Sequence, residues 1–408
     1  MKNKVLKKEK IWIVSEVFFP EEVATSYILT EIAISISKDF EVHVICGPES
    51  YEKELKGVNY SKLSDIRFHR INKFNFDKNK LITRAFRLML LSIAMFLVGL
   101  VKIKKNEKVL VVTNPATIIP LYALLRLYSK FKLYFLIHDV FPENLVPAKI
   151  LSSKNIFYKI LKYLYNSSYK MAFKLIVLGR DMKSLMLEKT KFKNEDIYII
   201  ENWADLETVH PISNEINLKY SNNFNDKIVI QYAGNFGRLQ DLDKFLLIFA
   251  KSSNPRLHLV LVGRGAMENQ LRAIVKEKKL TNVTIEKPFR RIEQNEYINA
   301  CDIGLVTLTD ELYGLGVPSK SYNILAAQKP ILFIGRKNTE VALMIKESKC
   351  GYSFEFNEEV LILDFLNNLD FRKNELLKYA KNARSLALNK YSKDIILNKF
   401  KIIFTENV

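Results

Sequence analysis

The sequence predicts an α/β protein built as two doubly wound domains, and three observations predict it. Short apolar runs recur with helical patterns of ten or more residues between most of them, which is how parallel strands covered on both faces read. The pattern restarts after Asp205–Asp226, a polar stretch poor in periodicity that reads as a linker. At 408 residues, 48% apolar, the chain has material for two or three cores at about 150 residues each.

In chain order, Met1–Lys10 is basic and polar, lacks the apolar segment of a signal peptide, and is expected to be a disordered or headgroup-touching tail. Ile11–Val14 reads as the first buried strand. Thr25 is then expected to cap a helix with Ile28, Leu29, Ile32, Ala33 and Ile36 on one side. Further strands are expected at Val42–Cys46, Val109–Thr113, Leu133–Ile137, Leu175–Leu178 and Ile197–Ile200. A second set follows at Ile228–Tyr232, Leu257–Val262, Val283–Glu286, Ile303–Leu308 and Ile331–Ile334. Ligands of such folds sit at the carboxyl ends of the strands, so the cleft between the domains is the expected site.

Leu88–Val101 is almost wholly apolar and flanked by Arg84, Arg87, Lys102, Lys104 and Lys105. Its length falls short of the roughly 18–20 residues of a bilayer span. It is read first as a buried helix, and second as a helix with one face dipping into a lipid interface between basic anchors.

The formal charge is +19, unevenly spread: residues 1–200 hold 34 Lys and Arg against 19 Asp and Glu, and residues 201–408 hold 29 against 25. A basic first half favours an anionic surface. With no nucleic-acid module signature, a membrane is preferred over nucleic acid, although a general lysine richness accounts for part of the excess. Three scattered cysteines form no framework and fit a reduced, cytoplasmic setting. Five scattered histidines have no paired spacing, so no protein-built metal site is expected.

The chemistry-bearing residues fall at strand ends. Glu311–Pro330 follows a strand, with Gly314 and Gly316 loosening the turn, Pro318 placed to open a helix, and Ser319 and Lys320 behind it. Backbone N–H groups, a helix dipole and the Lys320 charge would hold a phosphate or diphosphate; the alternative is an ordinary turn with Lys320 solvated. Ile228–Tyr232 runs into Ala233-Gly234-Asn235-Phe236-Gly237-Arg238-Leu239-Gln240, and Leu257–Val262 into Gly263-Arg264-Gly265. Three glycine turns after strands in one nearly neutral half suit a single anionic small molecule. In the first half, Leu133–Ile137 runs into His138-Asp139-Val140-Phe141-Pro142-Glu143. That group could bind hydroxyls or move protons; equally, the histidine could be satisfied locally and the aspartate could cap a helix.

Six stretches in order, FFPEEVATSY, HDVFPE, ENWADLETVHP, QYAGNFGRLQDL, LVGRGAMENQL and VPSKSYNILAAQKPIL, cover most of the chain. In them it resembles the retaining glycosyltransferases of family 4, of GT-B fold, and within these the L-fucosamine transferase branch of O-antigen and capsule assembly. The resemblance implies an N-terminal acceptor domain over 1–204, a donor domain over 205–390, and a last helix, about Tyr391–Phe404, crossing back to the first. It implies a nucleotide-sugar donor, UDP-linked and carrying an N-acetylated deoxyhexosamine, and an acceptor saccharide on a polyprenyl-diphosphate carrier. It also implies peripheral attachment to the cytoplasmic face of the plasma membrane, with no cofactor. Gly234, Gly237, Arg238 and Lys320 would surround the diphosphate with the backbone of Gly316, Val317, Pro318 and Ser319, and Asn235 and Gln240 would also line the donor site. Gly263 and Gly265 would let the chain approach the nucleotide, Phe289 would abut the base, and Asn323 would bond the ribose. His138 would face the donor sugar from the opposite domain, Val23, Ala24 and Thr25 would close over the diphosphate, and Asp139 or Glu143 would orient the acceptor.

The chain departs from the family pattern at five positions. Leu315 and Asn323 replace two glutamates, Val23 replaces a loop glycine, Gln240 stands near an expected lysine, and Gln328 replaces a glycine. Arg238 and Lys320 would stabilise the departing nucleoside diphosphate without a metal. Two alternatives share the fold: a sugar-nucleotide 2-epimerase, and a non-catalytic partner subunit of an active transferase.

Overall fold

A computed structural model describes residues 8–21, 23–48, 63–72, 81–212, 224 and 226–406. The chain divides into two units, each with one sheet. The first takes the described residues of Met1–Leu178, Met182–Ile200 and Leu397–Val408; the second takes those of Gly179–Asp181 and Glu201–Ile396. The division at 200/201 lies four residues before the boundary expected from the sequence, and the return at 396/397 lies six after it.

The first unit's strands are β1 (Lys10–Ser15), β2 (Glu41–Cys46), β3 (Ile66–Arg70), β4 (Lys108–Val112), β5 (Lys132–Ile137), β6 (Lys174–Val177) and β7 (Ile197–Ile199). All pair in parallel, in the order β3-β2-β1-β4-β5-β6-β7. Its helices are α1 (Ala24–Ile36), α2 (Leu81–Lys102), α3 (Ile118–Ser129), α4 (Ile156–Lys170) and α5 (Arg180–Thr190), the last starting inside the second unit. Central strands are buried throughout, as in KVLVV of β4, because helices cover both faces.

The second unit repeats the plan with β8 (Ile228–Ala233), β9 (Leu257–Val262), β10 (Val283–Glu286), β11 (Ile303–Thr307), β12 (Ile331–Ile334) and β13 (Gly351–Phe354). These run parallel in the order β10-β9-β8-β11-β12-β13. Its helices are α6 (Leu242–Phe249), α7 (Glu268–Glu277), α8 (Gln294–Asn299), α9 (Lys320–Ala326), α10 (Glu340–Ser348), α11 (Glu359–Asn367) and α12 (Lys373–Asn389). The last helix, α13 (Lys393–Thr405), ends in the first unit, where the Phe404 ring meets Tyr134 at 5.2 Å edge-on and Tyr198 donates to Glu406 at 2.8 Å.

In each sheet the strand order reverses once, between β1 and β4 and between β8 and β11. Crossovers leave a doubly wound sheet in opposite directions at that point, opening a crevice at the carboxyl ends of the strands. The loops after β8 and β11 therefore share one corner.

Several expectations need correction. Strands β3 and β13 do not appear in the apolar runs: both are sheet edges, and IRFHR and GYSF carry the mixed, half-buried pattern of an edge. Thr25 does not cap α1; the helix begins at Ala24, and Val23 holds the extended cap position with no side-chain bond. The tail's residues 1–7 and much of the linker lie outside the described residues.

The largest correction concerns Leu88–Val101. It lies within the 22-residue α2, whose stretch Ala85–Lys102, with mean hydropathy 2.0, has the length and composition of a span, yet the helix is not fully buried. Leu91, Ser92, Met95 and Gly99 face inward. There Tyr122 of α3 donates to the Met95 carbonyl at 3.0 Å and Ser92 bonds Thr117 at 2.6 Å. Phe86, Met89, Ile93, Leu97 and Leu100, at spacings of three and four, are exposed. A helix in the outer layer meets protein on one side only, and composition does not reveal which side.

Within the first sheet Trp12, His43 and His69, on neighbouring strands, stack with ring centroids 4.3 Å (Trp12–His43) and 5.4 Å (His43–His69) apart. His43 Nδ1 lies 3.1 Å from His69 Nε2, and burial lowers both pKa values, that of His69 to about 4.

Candidate functional site

In the second unit the three glycine turns meet. The turn after β8 bonds the turn after β9 through Phe236 N–H to the Arg264 carbonyl at 2.7 Å and Met267 N–H to the Phe236 carbonyl at 2.9 Å. Gly263 has φ of +156°, and a Cβ there would lie 1.9 Å from the Gly234 carbonyl oxygen, so no other residue fits between these turns. Gly265 is similarly bound, a Cβ there meeting the Phe236 carbonyl oxygen at 2.4 Å. The turns enclose a cleft of about 320 Å³ lined by Gly234, Asn235, Gly263, Arg264, Pro288 and Phe289. Phe289 stacks on Tyr297 at 4.7 Å, which fixes the ring at the wall of the cleft.

The third turn reaches the same corner from β11. Thr309 N–H bonds the Leu239 carbonyl at 3.1 Å, tying the loop after β11 to the turn holding Gly237, Arg238 and Gln240. Lys320 opens α9; Pro318, expected in the first helical turn, precedes it, and its carbonyl accepts from the Ser321 hydroxyl at 2.7 Å. The Lys320 ammonium lies 3.6 Å from the Tyr232 ring centre, and a Cβ on Gly234 would stand 3.0 Å from its Nζ. The residue keeps some accessible surface while burial of the ammonium lowers its pKa to about 7. Among the described residues no carboxylate pairs with it. A partly desolvated cation held by a ring face, beside turn N–H groups, has the chemistry of an anion site awaiting its charge.

The other donor-side positions vary. Arg238 is exposed and heads the short 3-10 turn Arg238–Gln240, with no carboxylate partner among the described residues. Gln240 folds back on Gly237, where a Cβ would meet its Oε1 at 2.5 Å, and that oxygen has no partner among the described residues. Asn235 lies at the cleft wall. Gly316, Val317 and Pro318 are half-buried and Ser319 is exposed, all in the loop before α9. Asn323 is already engaged, its Oδ1 accepting from Asp205 N–H at 3.2 Å while Asp205 pairs with Arg291 at 2.7 Å. Leu315, in the place of a family glutamate, is buried at 5% exposure, so an apolar contact stands where a carboxylate was expected. The sequence marks Arg264 only as part of the turn Gly263-Arg264-Gly265, with no role of its own, and does not single out Pro288.

In the first unit, Thr113 at the end of β4 accepts from His138 N–H at 3.1 Å and Asp139 N–H at 3.3 Å, turning the chain after β5. Burial lowers the His138 pKa to about 4, which keeps the ring neutral at pH 7, and its Nε2 has no partner among the described residues. Burial raises the Asp139 pKa, opposed by the Asn144 amide donating at 3.1 Å, although the residue itself is exposed: atoms crowd the carboxyl while water still reaches it. Glu143 is not free; Lys189, 3% exposed, pairs with it at 2.5 Å and Lys162 stands at 3.8 Å. Val23 and Ala24 are exposed and Thr25 half-buried at the start of α1. Among the described residues no group of three or more His, Cys, Asp or Glu gathers in metal-binding geometry.

Comparison with known proteins bears on both units. Residues 213–385 match the family described as Glycosyl transferases group 1. The probable glycosyltransferase WbjE of Pseudomonas aeruginosa is 31% identical over 397 residues, covering 96% of each chain. Among solved structures, HepE of Anabaena in complex with UDP and glucose superposes with TM-score 0.71 at 13% identity over 97% of this chain and 99% of that one. WaaG, a glycosyltransferase involved in lipopolysaccharide biosynthesis, gives 0.67 at 14% over 97% and 100%. The structural likenesses establish the GT-B fold expected from the sequence, and the 31% identical relative, with the family match over 213–385, shows that this chain belongs to the group 1 glycosyltransferases.

Proposed function

We propose that the chain is a retaining glycosyltransferase of family 4 that moves a sugar from a uridine diphosphate donor to a saccharide on a polyprenyl-diphosphate carrier. The sugar implied by the L-fucosamine branch resemblance is an N-acetylated deoxyhexosamine, and the pathway is surface polysaccharide synthesis at the cytoplasmic face of the plasma membrane. The observation that carries the donor half is the Lys320 ammonium seated at Gly234, where the glycine turns converge. HepE, of like fold, was solved with UDP, which supports the choice of base.

Cleaving the bond from the anomeric carbon to the diphosphate leaves both bonding electrons on the phosphate oxygen. In this reading Lys320, with Arg238 and the turn N–H groups left unbonded, would stabilise that growing charge without a metal ion. The acceptor oxygen bonds to the anomeric carbon from the leaving-group side, and its proton passes to the departing diphosphate oxygen, so configuration is retained. Asp139, with its raised pKa, is the acceptor-side acid left to orient a hydroxyl, since Glu143 is held by Lys189. His138, neutral, offers a hydrogen bond to a hydroxyl without repelling or attracting charge.

The test is thermal unfolding of the purified chain with UDP, GDP and the sugar-linked forms, followed by transfer assays. A ligand bound only by the native state raises its stability, and UDP is expected to do so more than GDP. No stabilisation by any nucleoside diphosphate would overturn the donor reading. Stabilisation without transfer to any lipid-linked saccharide would overturn the acceptor reading.

A further inference from the structure

The helices α2, α3 and α4 form one layer of the first unit, α2 packing on α3 and α3 on α4. The exposed stripe of α2 is continued on α3 by Leu124, Leu127 and Tyr128. On α4 it is continued by Ile156, Phe157, Ile160, Tyr163 and Leu164, spaced as one helical face. Tyr128 is 73% exposed, Tyr163 78% and Phe157 66%, which is unusual for large rings in water.

The charges carried by these three helices are of one sign. The sequences of α2, α3 and α4 contain no Asp or Glu. Each helix hands on to the next parallel strand, so their carboxyl ends lie along one rim, bearing exposed Lys102, Lys104, Lys105, Lys130 and Lys170. Lys149 and Lys154 stand before α4 at the other end. None of these lysines pairs with a carboxylate among the described residues. Helix dipoles alone do not explain the pattern: they favour lysine at the carboxyl ends but also acid in the first turns, and all three first turns lack it. Exposed helices of the second unit differ: α11 also exposes Val360 and Leu361, but carries Glu359 and Asp364 beside them.

We propose that the α2–α3–α4 face lies in the interface of an anionic bilayer, with Leu, Phe and Tyr side chains below the headgroups and the lysine rims among them. The single sign of charge selects the occupant: a second copy of the chain would bring the same lysines, whereas an anionic lipid surface complements them. Helix α2 lies in the plane of the interface rather than crossing it, because its inward face is bonded to α3, which itself packs on β4 and β5, and crossing would carry that sheet into the hydrocarbon or strip α2 from it. The inference rests on the first unit's surface and not on sugar chemistry, so it and the donor reading fail separately.

The test is flotation of the full chain with vesicles of phosphatidylcholine alone and of phosphatidylcholine with phosphatidylglycerol. The chain is expected to float with the anionic vesicles and about tenfold less with the neutral ones. Replacing three exposed side chains together, Leu97→Ser, Phe157→Ser and Tyr163→Ser, is expected to lower anionic binding about tenfold or more. An unchanged melting temperature checks that this variant folds. Equal flotation of variant and parent, or equal binding to both vesicle types, would overturn the proposal. So would a dimer in sedimentation that the variant dissociates, since a second copy would then cover the face.

Discussion

The two units carry strand-end corners of opposite chemical character on the same doubly wound plan. The corner after β8, β9 and β11 collects glycines and Lys320, with Arg264 at the cleft and Arg238 in the turn after β8, and among the described residues no carboxylate pairs with Lys320. The corner after β5 collects a neutral histidine, a carboxyl whose pKa burial raises, and a glutamate neutralised by Lys189. One corner leaves positive charge unanswered; in the other, burial disfavours the charged forms of both His138 and Asp139. A reaction that expels a diphosphate and admits a neutral hydroxyl needs that division.

The sharpest way to break the contrast is Gly263→Ala. Its Cβ would collide with the Gly234 carbonyl, parting two of the three turns, and the expected result is a lower melting temperature and complete loss of UDP-dependent stabilisation. Next comes Lys320→Ala, expected to lower turnover about 100- to 1,000-fold with the fold intact in circular dichroism. Unchanged transfer would remove Lys320 from the mechanism. Replacing His138 by Ala is expected to cost about 10- to 100-fold in kcat while UDP binding is unaffected; weakened UDP binding would show that the corners are not divided as described. Arg238→Ala, at an exposed cation, is expected to weaken UDP binding only about tenfold, with less effect at high salt.

The smallest effect is a proton. Lys320 titrates at about 7 in the folded unit against the ordinary 10.5. Below pH 7 both folded and unfolded states carry the charge and the folded state bears its desolvation. Between the two values only the unfolded chain holds the proton, so this group's contribution to stability rises with pH. A diphosphate beside the ammonium restores its pKa, so UDP binding in that window takes up a proton. Calorimetry at about pH 8 in two buffers of different ionisation enthalpy is expected to show the uptake in the parent and not in Lys320→Met.

Much of this could be read in the residues themselves. Fully buried strands such as LHLVLV announce themselves, and the glycine turns after β8 and β9 mark their own conformations. What escaped was whatever depends on long-range partners. Lys320 meets Gly234 because the strand order reverses between β8 and β11, which no local pattern encodes. Asn323 turned out to be engaged by Asp205, and Glu143 by Lys189, from distant segments. The exposure of α2 was hidden for a different reason: a helix apolar all round gives no sign of which side meets protein.

The stack of Trp12 on His43 has a practical consequence. The chain holds two tryptophans, Trp12 in the first unit and Trp203 in the second, both buried. Each lobe thus contains its own fluorophore, and replacing either by phenylalanine leaves a reporter of the other's unfolding. Because charged imidazole quenches indole emission, acidification should dim the Trp12 signal first, giving each lobe a distinguishable optical signature without any added dye.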